Sequence, residues 1–146
     1  MLTCSLVHLS HKDIAKVHLK IITHERIVFD GEVDELMVHT TNGYIGILKD
    51  HIPITTSLEI GVTKAKIGES YKYFATMGGV FQFKDNNAVI LTDVCEDGCD
   101  IDVTRAKAAK ERAEARLAEK TAELDTQRAQ AALARALVRL QAAIKE

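Results

Sequence analysis

Val17, Leu19 and Ile21 alternate with His18 and Lys20. A period of two places alternate side chains on opposite faces and predicts a half-buried strand. Leu36 and Val38 repeat the pattern against Glu35, Met37 and His39. Asn42-Gly43 follows, two residues that accept positive φ, and predicts a hairpin turn into a strand over Tyr44 to Leu48. Further strands are predicted around Val62, Thr63 and Ile67, over Tyr71 to Thr76, over Val80 to Phe83 and over Ala88 to Val94. Gly68 and the run Asp85-Asn86-Asn87 supply turns between them. Many short strands with frequent turns predict a sandwich or barrel.

The pattern changes after Cys99. From Val103 to Glu146 there is no Gly and no Pro. Asp102 is placed to cap a first helix by accepting backbone N–H bonds, and Asp125 a second. The predicted helices are 103–120 and 126–145, joined by a short turn. Ala106, Ala109, Ala113 and Leu117 share one face of the first. Ala129, Ala132, Leu133, Ala136, Leu137, Leu140 and Ile144 follow helical spacing on the second. The two stripes predict an antiparallel hairpin. Alanine offers little apolar area, with each buried CH₂ worth about 0.8 kcal/mol, so this hairpin is expected to hold to its neighbours weakly. A continuous helix from Val103 would reach about 66 Å, against about 30 Å for each folded arm. Two shapes of very different reach are therefore open to it.

Composition sharpens the division. Before residue 101 there are nine basic and fourteen acidic side chains; after it, ten and seven. All eight glycines and all seven aromatics lie in the first part, and fourteen of eighteen alanines in the second. No apolar run approaches the roughly 20 residues of a membrane span. The start, Met1 to Leu9, lacks a basic flank and a long apolar core and makes a poor export signal. Cys4, Cys95 and Cys99 are an odd number, so free thiols in a reducing cytoplasm are expected. Cys95 and Cys99 lack a second pair at ligand spacing, and Cys4, His8 and His11 sit in a segment better read as a tail. No metal site is expected.

The arginines are the candidate chemistry. Arg105 and Arg112 are seven apart and share a face; Arg128 and Arg135 repeat the spacing, and Arg139 follows one turn later. A hairpin can aim several guanidinium forks at one place, which suits phosphate oxygens. The plainer reading is a solvated face paired with Glu111, Glu114, Glu119 and Glu123, worth about 0.2–1 kcal/mol for each exposed pair. Spacing alone favours that plainer reading. Nucleic acid is a poor fit, because this half has no aromatics and its acids dilute the charge.

Three stretches stand out: Gly43-Tyr-Ile-Gly46-Ile47-Leu48 with His51-Ile-Pro53; Gly78-Gly79-Val80-Phe81 with Val89-Ile90-Leu91; and Ile101-Asp102-Val103-Thr104-Arg105-Ala106. Together they resemble the epsilon subunit of the rotary, F-type ATP synthase of bacteria. The last is similar to the family's Ile/Leu-Asp-x-x-Arg-Ala signature. The resemblance spans Val17 to Leu140. It departs from the family where Lys49 replaces a usual Pro, at Cys95 and Cys99, and in the first fifteen residues.

The resemblance implies an α+β chain: an extension over 1–15, an antiparallel β-sandwich of about ten strands over 16–97, a hinge over 98–102 and a regulatory two-helix hairpin over 103–146. It implies a non-catalytic stalk subunit that couples ion flow to rotation. The sandwich would meet the gamma subunit and the ring of c subunits, and the helices the alpha and beta subunits. The subunit would sit peripherally on the cytoplasmic face of the inner membrane, held there through the complex. The hairpin would lie compact or extend to suppress ATP hydrolysis. Regulatory ATP, the one small ligand implied, would bind through Glu96, Asp102, Arg105, Ala106, Arg112, Arg128, Arg135 and Arg139. On this resemblance the arginines are read as a ligand site. His51 is read as structural or interfacial, and Gly43, Gly46 and Pro53 as turn geometry. The alternative is a generic adaptor, a β-domain with a helical tether. An enzyme is disfavoured because no Ser-His-Asp set, carboxylate pair or phosphate-cradling glycine loop is visible.

Overall fold

A computed structural model describes residues 16–119 and 123–144. Cys4, His8, His11 and the extension over 1–15 lie outside these residues. Eight strands come first: β1 (Val17–Ile22), β2 (Ile27–Val33), β3 (Glu35–Thr40), β4 (Gly43–Ile47), β5 (Ile54–Ile67), β6 (Ser70–Lys84), β7 (Asn87–Leu91) and β8 (Cys95–Asp97). A 3₁₀ turn at Gly98–Asp100 leads to helices α1 (Val103–Ala118) and α2 (Glu123–Ile144). The strands bond in the order β2-β1-β7-β6-β5-β3-β4, with β8 on β6. The fold is α+β, a β-sandwich followed by two helices.

The long β5–β6 hairpin serves both layers. Ile54–Leu58 pairs with Gly79–Phe83, beside β7, whereas Lys64–Lys66 pairs with β3 and Phe74–Thr76 with β8. Phe74, Phe81 and Phe83 all belong to the same core. Phe74 and Phe81 are an odd number of residues apart, so a regular strand would send them to opposite faces. The strand changes face at Gly78 and Gly79, whose φ values are +78° and +118°. A residue with a side chain avoids that backbone region.

The expected ten strands are thus eight among the described residues. Segments predicted separately over Tyr71–Thr76 and Val80–Phe83 are one strand, because the glycine pair bends β6 without ending it. Strand β2 is absent from the predicted set, and it pairs with β1 from Val17↔Val33 to Ile21↔Phe29. The sheet is also not wholly antiparallel, since β1 runs parallel to β7. The alternation predicted for β1 and β3 is present: Val17, Leu19, Ile21, Leu36 and Val38 are fully buried.

Asp102 caps α1, its Oδ1 accepting from the Arg105 N–H at 3.1 Å. Helix α2 begins at Glu123, so Asp125 lies inside its first turn and is not the cap. An acid in a first turn suits the positive end of the helix dipole, and no Gly or Pro delays the start. Ala106 and Ala113 on α1 and Ala129, Ala136 and Leu140 on α2 are buried. Leu137 departs from the predicted stripe and is exposed, while Val138 and Ala142 are buried. The reason is a second neighbour: Val138 and Ala142 pack on Val62 and Ala75, flanked by Ile60, Tyr73, Met77 and Ile101. Helix α2 therefore seats the hairpin on the outer face of β5 and β6. That patch is small, worth on the order of a few kcal/mol.

A candidate anion cleft between the helices and β8

Strand β8 is three residues long and each side chain has a different neighbour. Cys95 enters the sandwich core. Glu96 faces the hairpin and accepts from Arg139 Nε on α2 at 2.7 Å. Asp97 pairs with Lys72 on β6 and accepts from the Cys99 N–H, starting the 3₁₀ turn. The turn brings Asp100 and Ile101 to the mouth of α1. There Asp102, Arg105, Ala106, Ala109 and Arg112 complete a cleft of about 330 Å³ with Glu96 and Arg139.

Six of the eight predicted site residues line this one cleft: Glu96, Asp102, Arg105, Ala106, Arg112 and Arg139. Arg128 lines a separate cavity of about 290 Å³ near the hairpin tip, with Arg116, Glu119, Asp125 and Ala129. Arg135 lines neither. Residues 128, 135 and 139 lie within about 40° of one another around the helix; the rise of about 1.5 Å per residue, not a change of face, leaves Arg128 near the hairpin tip and Arg139 beside β8. Asp100 and Ile101 also line the cleft without having been singled out as site residues. Only folding of the 3₁₀ turn brings Asp100 there.

Geometry accounts for the chemistry. Arg105 and Arg112 are one face of α1, and Arg139 comes from α2. Among the described residues neither Arg105 nor Arg112 makes an ion pair, and the one such pair within α1 is Lys110–Glu114 at 3.8 Å. The glutamate-paired face that spacing favoured is not what these two arginines form. Two open guanidiniums and a third held by a carboxylate suit an anion with several oxygens. The lining includes no Ser, Cys, His or Lys. Ala106 is nearly fully buried at the cleft floor, leaving room where a longer side chain would intrude.

Other predicted positions have structural neighbours. His51 donates from Nδ1 to the Ile52 carbonyl at 2.7 Å and sets its ring edge-on to Phe83. The turn at Lys49-Asp50 is tied down without a proline: the Asp50 N–H donates to Asn86 Oδ1, and Asn86 Nδ2 donates back to Asp50 Oδ1. Burial pushes the Cys95 thiol up to about 11. No cluster of three metal-ligating side chains exists among the described residues.

A second surface is apolar. Register places Ile27, Ile22, Leu91 and Val80 side by side across β2, β1, β7 and β6. Ile27, Leu91 and Val80 are exposed, as are Leu48 and Ile52. No described helix is long and apolar enough to cross a membrane.

Residues 16–98 match the family described as ATP synthase, Delta/Epsilon chain, beta-sandwich domain, and residues 100–143 its long alpha-helix domain. The chain belongs to the ATP synthase epsilon family. It is 48% identical to the ATP synthase epsilon chain of Pelotomaculum thermopropionicum over 126 residues, covering 86% of this chain and 93% of that relative. The Symbiobacterium thermophilum epsilon chain is 45% identical over 131 residues, covering 89% and 94%. A chain in the Euglena gracilis mitochondrial ATP synthase structure (OSCP, F1 and c-ring) has the same fold, with a TM-score of 0.77 at 20% identity, covering 88% of this chain and 81% of that one. For this epsilon-family chain, the boundary between the two family domains falls between Gly98 and Asp100, inside the 3₁₀ turn.

Proposed function

We propose that this chain is a non-catalytic subunit of the central rotor stalk of an F-type ATP synthase, and that its hairpin regulates ATP hydrolysis in response to ATP. The observation that carries the regulatory part is the convergence of Arg105, Arg112 and Arg139 on one cleft floored by Ala106. A triphosphate placed there meets guanidiniums from both helices and favours the folded-back hairpin, because Arg139 belongs to α2 and Glu96 to the sandwich. A ligand shifts a two-state element by its difference in affinity for the two states. ATP at about a hundred times its Kd would stabilise the folded-back hairpin by about 2.7 kcal/mol, comparable to the small seat beneath α2. At low ATP the hairpin leaves its seat, reaches the alpha and beta subunits and suppresses hydrolysis.

The family and the relatives' names support the stalk role. The row Ile27–Ile22–Leu91–Val80, exposed at Ile27, Leu91 and Val80, offers the sandwich an apolar face for the gamma subunit and the ring of c subunits. Such contacts would hold the chain at the cytoplasmic side of a bacterial membrane through the complex. An adaptor unrelated to the synthase would fail to copurify with these subunits.

The deciding experiment compares ATP hydrolysis by the assembled complex with the full chain and with a chain ending at residue 100. Truncation should raise hydrolysis at low ATP and change it little at high ATP. Equal hydrolysis at every ATP level would remove the regulatory role and leave the stalk role.

A further inference from the structure

Gly98 has an ordinary φ, so its lack of a side chain is not required by backbone conformation. It is required by what surrounds it. The residue is buried. A Cβ built there would stand 2.5 Å from the Ala142 carbonyl oxygen on α2 and 3.1 Å from the Tyr73 carbonyl oxygen on β6. Both neighbours are backbone, so no rotamer change relieves the contact. The turn itself has little freedom to retreat. Asp97 beside it is anchored to Lys72 on β6 and holds the Cys99 N–H. Tyr73 closes the other side.

Helix α2 rests on this spot with small residues. Ala142 and Ala75 are fully buried, and Val138 is nearly so. The ion pair that also joins α2 to the sandwich, Arg139–Glu96, is more open, with side chains 28% and 37% exposed. A half-exposed pair contributes little to docking. Direct backbone apposition over the apolar patch contributes more, since dispersion and burial fall off within an ångström of separation.

We propose that Gly98 is the seat of helix α2. Bare backbone at this position lets α2 close onto β5 and β6, and this contact, separate from the arginine cleft, sets how firmly the hairpin stays folded back. The proposal rests on the reading that the hairpin can leave the sandwich. One methyl at residue 98 forces α2 to lift by at least about half an ångström, the kind of overpacking a close-packed contact tolerates poorly. The sandwich core lies on the far side of β6 and is untouched by that shift.

Amide hydrogen exchange on the full chain without nucleotide tests this, comparing the parent with Gly98→Ala and Arg139→Ala. Gly98→Ala should speed exchange across α2 by about tenfold or more, with Phe81, Phe83 and Ile90 unchanged. Arg139→Ala should speed α2 less. Three results would overturn the proposal: unchanged α2 exchange in Gly98→Ala; equal acceleration in the sandwich, which would assign Gly98 to folding of the β-domain; or a larger effect from Arg139→Ala, which would assign docking to the ion pair. The assay contains no ATP, so failure of the parent chain to bind ATP in a separate titration would sink the nucleotide reading alone.

Discussion

Arg139 on α2 and Glu96 on β8, 43 residues apart in sequence, meet in a 2.7 Å charge-assisted hydrogen bond. This pair joins the hairpin to the sandwich at the wall of the cleft. Arg139→Ala removes one of three guanidiniums and should lower ATP affinity of the isolated chain by about tenfold, since hydrogen bonds to charged groups are worth about 1.5–3 kcal/mol. Isothermal titration checks this. A double-mutant cycle with Glu96→Ala should return a coupling of only about 0.5–1 kcal/mol in stability, because both side chains are partly solvated.

Arg105 stands in the first turn of α1, its own N–H bound to the Asp102 cap and its side chain exposed. Arg105→Ala should weaken ATP binding while leaving the cap and the helix intact. In the assembled complex it should shift the ATP dependence of hydrolysis toward inhibition. An unchanged titration curve would take Arg105 out of the site.

Gly79 bends β6 at φ +118°, and a Cβ there would stand 2.2 Å from the Leu91 carbonyl oxygen. Gly79→Ala combines a strained backbone with a backbone clash and should cost at least about 2 kcal/mol. Thermal unfolding should show the loss in the sandwich. A variant as stable as the parent would show that the bend in β6 needs no glycine.

His18 on β1 lies between Glu32 and Asp30 on β2, with its ring nitrogens 2.8 and 2.7 Å from their carboxylates. The Glu32 hydrogen bond is the main cause that raises its pKa above 6.5; desolvation opposes it, and the charges of Glu32 and Asp30 add to the rise. A raised folded-state pKa means the stabilisation is complete below the unfolded value and disappears as pH rises through the folded one. The stability gap between the parent and His18→Gln should therefore be largest in mild acid and close above neutrality. Denaturant midpoints across pH 5–8.5 would show it; a gap independent of pH would mean the ring contributes packing alone.

Cys95 and Cys99 are close in sequence but differ in surroundings. Cys95 is buried with its thiol raised to about 11, whereas Cys99 is exposed. A thiol-reactive reagent at pH 8 should modify Cys99 in the native chain and reach Cys95 only after unfolding, since the thiolate is the reactive form. Peptide mapping by mass spectrometry distinguishes the two. Early loss of Cys95 would mean that β8 opens readily from β6.

Much of this architecture was legible because it is local. Val17 to Ile21 and Leu36 to Val38 alternate, and their neighbours along the chain suffice to specify a strand. Asp102 followed by a Gly-free run specifies a helix start. Where the reading failed, longer-range pairing had overridden local signals. Gly78-Gly79 reads as a break, yet cross-strand bonds to β5 and β7 carry β6 through it. No strand is predicted over Ile27–Val33, yet pairing with β1 makes one. Leu137 fits the hairpin stripe, but the sandwich claims Val138 and Ala142 and rotates Leu137 toward solvent.

The order of hydrophobic and polar residues by itself determined the two-part plan, the position of the Asp102 cap and the repeating arginines. Those follow from periods of two and 3.6 and from backbone groups a few residues apart. Tertiary structure alone decided that Arg139 joins Arg105 and Arg112 while Arg128 and Arg135 stay apart, and that Gly98 lies under Ala142. Such choices depend on how rigid elements dock, and docking brings together residues dozens of positions apart that no local rule relates.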